Sequence, residues 1–155
     1  MPNRALVVDA NILVRAVLGK RVREVMEAHV ENVSFFVPEA AYCEAEEHLA
    51  ALVAKRGGDP EKALALLRSL GRLLELIGDE VYGEFEAEAR ERLEMRDQED
   101  WPILASALAL GCPIWTEDRD FFGCGVATWT SNRVQVFLRE AGQHGQADVR
   151  EGEDG

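Results

Sequence analysis

ALVVDANILVRAVLG, residues 5–19, decides how the rest of the chain is read. Its first part, ALVVD, is a short β-branched run that stops on an acid, the pattern of a buried strand. NILVRAVLG then reads as a short helix stopped by Gly19. A strand that is apolar at successive positions, rather than at every second one, is covered on both faces by helices. An acid closing such a run, here Asp9, has no obvious structural task, so it is a candidate for chemistry.

The same alternation continues outward from this unit. RVREVMEAHV (21–30) reads as a second helix and VSFFVP (33–38) as a second strand closed by Pro38. Residues 39–56 are strong helix formers that end at GGDP, where Asp59 and Pro60 supply the cap and first turn of the next helix, which Gly71 ends. LLELI (73–77) is short enough for a third strand, after which Asp79 is expected to cap a helix running to about Met95. The charged joint RDQED (96–100) leads into WPILASALALG, a buried helix with Pro102 tolerated in its first turn. CPIWT (112–116) and VATWT (126–130) read as strands four and five, and NRVQVFLREAG (132–142) as a last helix. The expectation is one α/β domain over 1–142 on a parallel sheet, followed by an acidic, Gly-rich, disordered tail at 143–155.

Bulk properties narrow the function classes. The chain has 155 residues and is 47% hydrophobic, enough for one domain with a real core. No run approaches the roughly 18 apolar residues of a membrane span, and the start MPNRALVV does not resemble a signal peptide, so a cytosolic protein without membrane contact is expected. Cys43, Cys112 and Cys124 are an odd number without CxxC spacing and read as buried thiols. His29, His48 and His144 are scattered and read as surface or packing residues.

The net charge of −12 has the wrong sign for general attraction to phosphate. Much of that excess is local, since residues 75–100 hold eleven acids against three arginines. Residues 15–23 instead carry Arg15, Lys20, Arg21 and Arg23 with no acid, a stripe suited either to a phosphate-bearing partner or to solvent.

In parallel sheets ligands bind beyond the carboxyl ends of the strands, where the strand order reverses. Asp9 ends the first strand, Glu44 follows the second, Asp118 follows the fourth, and Asp100 begins the helix leading into the fourth. All four converge on one rim if the strands are parallel. Two carboxylates about 5 Å apart repel by roughly 3 kcal/mol at an effective dielectric near 20, so four together need cations or protons. Oxygen donors without His or Cys select hard ions, Mg²⁺ or Mn²⁺, which bridge to substrate phosphates and acidify a bound water. Alternatives stay open for each acid. Glu44 sits among Glu39, Glu46 and Glu47. Asp100 could be a helix N-cap, with Asp97 and Glu99 competing for its role. Asp118 and Asp120, two apart, are expected to point different ways.

VVDANILVRAVLG, VPEAAYCE and DWPILASALALGCPIWTEDRDF, in that order, resemble the motifs of PIN-domain nucleases, a family that includes VapC-type toxins. The resemblance covers residues 5–138 and implies a three-layer α/β/α fold on a five-stranded parallel sheet, with a Mg²⁺- or Mn²⁺-dependent ribonuclease site. It implies Asp9, Glu44, Asp100 and Asp118 as metal ligands, with Asn11, Thr116, Asp97 and Asp120 in support. RNA is the implied substrate, an antitoxin protein the implied partner of a toxin, and a homodimer the implied assembly. WPIL, Trp115 and Trp129 depart from the common toxin pattern, so a free-standing RNA-processing enzyme is an equal expectation. Trp115 and Trp129 are expected in the core, whereas Trp101 could stack on a base.

Two competing readings are a non-catalytic PIN-like binding or oligomerisation module and a haloacid-dehalogenase-type phosphatase. The second requires Asp-x-Asp after the first strand, where this chain has DAN.

Overall fold

The computed structural model describes residues 4–140. The expected tail at 143–155 and the domain end at 142 lie outside the described residues. Five parallel strands form one sheet: β1 (Arg4–Val8), β2 (Val33–Pro38), β3 (Leu74–Ile77), β4 (Ile114–Trp115) and β5 (Thr128–Trp129). Their order is β3-β2-β1-β4-β5, so the chain winds outward from β1 in both directions. The order therefore reverses between β1 and β4, and that is where a ligand crevice opens in such sheets.

Helices cover both faces. The first group is α1 (Ala10–Leu18), α2 (Arg21–His29), α3 (Glu39–Lys55) and α4 (Pro60–Ser69), in which α1 packs on α2, α3 and α4. The second group is α5 (Asp79–Tyr82), α6 (Glu86–Arg92) and α7 (Trp101–Leu110), in which α7 lies on β1 and β2 and carries α5 and α6. A helix over 134–140 follows β5. This is the three-layer α/β/α arrangement on a five-stranded parallel sheet that the resemblance implied.

The core explains the strand readings. Leu6, Val7 and Val8 of β1 are all fully buried, which is what a central strand covered on both faces requires. Trp115 is also fully buried, tilted against Phe35 with ring centroids 6.2 Å apart, and its indole N–H donates to Ser131 Oγ. Trp129 is half-buried and packs on Phe137. In α7, Ile103 to Ala107 are buried in sequence, and Gly111 ends the helix in the left-handed region at φ 63°. A side chain at that φ is strained, which is why glycine follows the last apolar turn.

Several expectations need correction. β4 and β5 are two residues each rather than five, because the chain leaves the sheet at Thr116 and Thr130 to build loops over its edge. Asp79 is the first residue of α5 rather than its cap, which is Gly78, and the expected helix to Met95 breaks into α5, a 3-10 turn at Gly83–Phe85 and α6. α4 ends at Ser69, and Gly71 lies inside a 3-10 turn, Leu70–Leu73, that feeds β3. Of the cysteines only Cys124 is buried; Cys112 is half-buried and Cys43 exposed on α3.

Candidate active site

Asp9 follows β1 directly and Thr116 follows β4. The register Val8↔Trp115 sets the two residues level at the point where the strand order reverses. The Asp9 backbone N–H donates to Trp115 O at 3.0 Å, which extends the ladder by one step. Asp9 is also the N-cap of α1: its Oδ1 accepts from Ala10 N at 2.7 Å. The expectation that this acid has no structural task is therefore incomplete, since one oxygen caps a helix. Its Oδ2 accepts from Thr116 Oγ1 at 2.6 Å and from Asn11 Nδ2 at 3.2 Å. Thr116 Oγ1 in turn accepts from Asp118 N at 2.9 Å. One hydroxyl thus fixes both Asp9 and the start of the loop that carries Asp118.

Asp9 is 5% exposed, and burial pushes its pKa up to about 6 against the lowering effect of its hydrogen bonds from Thr116 and Ala10. The charges of Asp118 and Glu44 push it further in the same direction. Asp100 is half-buried and pushed up to about 8, first by burial, then by the charges of Asp9, Asp118 and Asp97, and by a hydrogen bond to Asp118. Asp100 sits at the N-cap of α7 but makes no side-chain capping bond. Asp97 instead caps the 3-10 turn Gln98–Asp100 that leads into α7, its Oδ1 accepting from Glu99 N at 3.0 Å. The carboxylate of Asp100 is therefore left for the site.

Asp9, Glu44, Asp100 and Asp118 line one cavity of about 290 Å³, together with Asn11, Arg15 and His48. Glu44 reaches it from the exposed side of α3, and His48 lies one turn further along that helix. His48 was expected to be a surface or packing residue; its i+4 spacing from Glu44 is the signal that places it on the cavity wall.

Asp118 and Asp120 were expected to point different ways. The chain instead turns into a 3-10 turn, Arg119–Phe121, capped by Asp118 Oδ1 accepting from Asp120 N at 2.9 Å. Carboxylate oxygens of Asp100, Asp118 and Asp120 consequently lie within 4.8 Å of one another. Asp97 lines a neighbouring cavity of about 410 Å³, which shares Glu44 and Asp100 with the first and includes Tyr82 and Trp101. Trp101 is half-buried there, edge-on to Tyr82 at 5.7 Å and with the Arg90 guanidinium 5.4 Å from its ring centre.

The acid loop is held at several points. Phe121 is fully buried and anchors it, whereas Phe122 is 44% exposed. Arg96 Nη1 donates to Asp120 O and Arg92 Nη1 to Cys124 O, each at 2.9 Å. Glu117 accepts from Ser131 N at 2.6 Å and donates its own N–H to Asn11 Oδ1 at 3.4 Å.

Of the basic stripe, Arg15 lines the acid cavity and also a third cavity, of about 370 Å³, that Lys20 and Arg21 line as well; Arg23 lines none of these. All the donors facing the central cavity are oxygens, apart from His48 and Arg15. Such a wall suits a hard divalent cation, whose charge would release the protons that burial and mutual repulsion hold on Asp9 and Asp100.

Comparison with known proteins places the fold. Among solved structures, PAE2754 from Pyrobaculum aerophilum superposes with a TM-score of 0.66 at 19% identity, covering 88% of this chain and 90% of that one. VapBC2 from Rickettsia felis, bound to a DNA fragment from its promoter, superposes with a TM-score of 0.64 at 18% identity, covering 81% and 98%. A toxin–antitoxin complex from Klebsiella pneumoniae gives 0.51 at 17% identity, covering 81% and 97%. At these identities the likeness is one of fold. No curated protein matches the sequence. The PIN domain profile matches residues 7–139, from the middle of β1 to the helix after β5. The chain therefore belongs to the PIN-domain family, whose members are nucleases.

Proposed function

We propose that the protein is a divalent-metal-dependent endoribonuclease, with Asp9, Glu44, Asp100 and Asp118 holding Mg²⁺ or Mn²⁺ against an RNA phosphodiester. The observation that carries this reading is the meeting of these four acids, from four separate segments, on one cavity wall, two of them with strongly raised pKa values. A cation bound there supplies Lewis-acid charge to the scissile phosphate and a more acidic water.

The chain's own residues have distinct tasks. Asp9 is the rigid member, with both oxygens hydrogen-bonded and its backbone in the sheet. Asp100 and Asp118, half-buried, share a hydrogen bond and sit where a proton on one is displaced by a cation. Thr116 and Asn11 aim Asp9; Asp120 adds a carboxylate beside Asp100 and Asp118; Asp97 acts on Asp100 through its charge. Arg15, Lys20, Arg21 and Arg23 form the positive approach for the RNA backbone.

The toxin reading draws support from the fold neighbours, which include VapBC2 and a toxin–antitoxin complex. It adds an antitoxin protein and a second copy of the chain as partners. The completeness of the acid set speaks against a lapsed, purely binding module. A phosphatase of the dehalogenase type lacks its second aspartate, because Asn11 occupies that place and donates to Asp9.

Purified protein is expected to cleave single-stranded RNA with Mg²⁺ or Mn²⁺ and to stop when EDTA is added. Cleavage that survives EDTA, or no cleavage with either ion, sinks the reading. Thr116→Val keeps the side-chain volume but loses both bonds of the hydroxyl. Cleavage should fall by about 10- to 100-fold, the usual cost of losing a group that orients a ligand. A loss within twofold would mean that Asp9 holds its position without Thr116.

A further inference from the structure

We propose that the cavity between the α1–α2 turn and residues 131–132 is a phosphate subsite. It would take the phosphate of a nucleotide adjacent to the one being cut. The proposal rests on the ribonuclease reading for its substrate and adds to it a defined place for a second phosphate.

The cavity, of about 370 Å³, is lined by Arg15, Gly19, Lys20, Arg21, Ser131 and Asn132 among others. Among the described residues none of the three cations forms an ion pair, whereas Arg72, Arg90 and Arg92 each pair with a glutamate. Three unneutralised cations around one cavity, in a chain of net charge −12, repel one another, and an anion relieves that repulsion. Ser131 and Asn132 add polar side chains, and α2 begins at this wall with no side chain capping it.

Position gives the subsite its role. Arg15 lines both this cavity and the acid cavity, so the two are one side chain apart. The cavity that shares Glu44 and Asp100 with the site is instead walled by Asp97 and Glu99. The groove therefore has one acidic exit and one basic exit. A phosphate next to the cut is repelled at the first and held at the second.

The spacing between cut and subsite is set by the protein's own bonds. Glu117 follows Thr116 in the acid loop and accepts from Ser131 N at 2.6 Å, while Ser131 Oγ accepts from the buried Trp115 indole at 3.1 Å. Glu117 is thus a positioning residue: it ties the floor of the phosphate subsite to the loop that aims Asp9 and Asp118.

Two measurements test this. In EDTA, binding of a fluorescein-labelled oligouridylate is followed by anisotropy across a salt series, for the wild type and for Lys20→Gln/Arg21→Gln. Both substituted positions are exposed, so the fold should tolerate the change. Losing one phosphate contact should make the slope of log affinity against log salt shallower by about 0.7. With Mn²⁺, uridylyl-uridine is compared with its forms carrying an extra 5′ or 3′ phosphate. One of the two should be cleaved with a kcat/KM about tenfold higher, through KM, as expected for a charge-assisted contact.

That advantage should shrink to about twofold in the double variant. Glu117→Gln, whose amide oxygen still accepts from Ser131, should keep it, and Glu117→Ala should lose it. Unchanged salt slopes together with no advantage for either phosphorylated form overturn the subsite, even if longer RNA is cleaved. A slope change in a protein that cleaves no RNA with any metal upholds the anion subsite and overturns the nuclease reading instead.

Discussion

Asp9→Asn is expected to abolish RNA cleavage while leaving the metal-free fold at least as stable as the wild type near pH 8. The two halves of this expectation have separate causes. For activity, Asp9 is the one acid whose two oxygens and backbone are all fixed, so it sets the geometry for the others. Loss of a group that merely orients a ligand costs about 10- to 100-fold, and loss of the ligand itself should exceed that. For stability, the amide oxygen of asparagine still accepts from Ala10 N and keeps the cap on α1. The substitution also removes a buried charge that Asp118 and Glu44 repel. Cleavage within about tenfold of wild type in Asp9→Asn, or a large drop in its metal-free melting temperature, would contradict the assignment.

The second expectation concerns pH. The folded-state pKa of Asp9 is raised to about 6 from an ordinary 3.8, so the folded protein holds this proton more tightly than the unfolded chain does. Below about pH 4 both states are protonated and there is no penalty. As pH rises from 4 towards 6 the unfolded chain ionises first, and stability falls until both states are ionised. For Asp9 alone the total is about 3 kcal/mol, from the shift and 1.36 kcal/mol per unit. Asp100, raised to about 8, extends the decline towards that pH, by less than its shift suggests because the group is half-buried and screened.

Urea denaturation in EDTA should therefore show wild type losing stability relative to Asp9→Asn between pH 4 and about 6, and more gently towards pH 8, because the charge of Asp9 contributes to the raised pKa of Asp100. Mn²⁺ should raise the melting temperature of wild type far more at pH 8 than at pH 5, because protons compete for the same oxygens. A gap that stays flat with pH, or stronger stabilisation at pH 5, would show that the cavity acids are not strained by one another.

What was legible in the sequence follows from what each residue meets in space. β1 and β2 read to within a residue because both are interior strands with no exposed position. β4 and β5 read too long because CPIWT and VATWT are equally apolar. What makes them apolar is packing under the helix over 134–140 and around Trp115, rather than long ladders. Asp9 stood out because an acid directly after Val7 and Val8 ends an otherwise apolar strand, although its second task, capping α1, went unread.

Asp120 was misplaced because nothing in TEDRDFF announces the 3-10 turn at Arg119–Phe121, which brings its carboxylate beside those of Asp100 and Asp118. His48 escaped notice because a lone histidine on a glutamate-rich helix carries no pattern until Glu44 is known to face the cavity. Phe121 and Phe122 are indistinguishable in sequence, and only the turn decides which one enters the core.

The hydrogen bond from Thr116 to Asp9 joins residues 107 apart in the chain, across the β1–β4 pair. Its consequence lies in the order of synthesis. Translation proceeds from the N-terminus, so β1, β2, β3 and helices α1 to α6 are made before α7, β4 and β5 leave the ribosome. At that stage β1 is an open edge, and Asp9 lacks both Thr116 and Asp118. A chain cut short before residue 114 lacks Thr116 and Asp118, so closing the β1 edge with β4 and completing the proposed site are a single event.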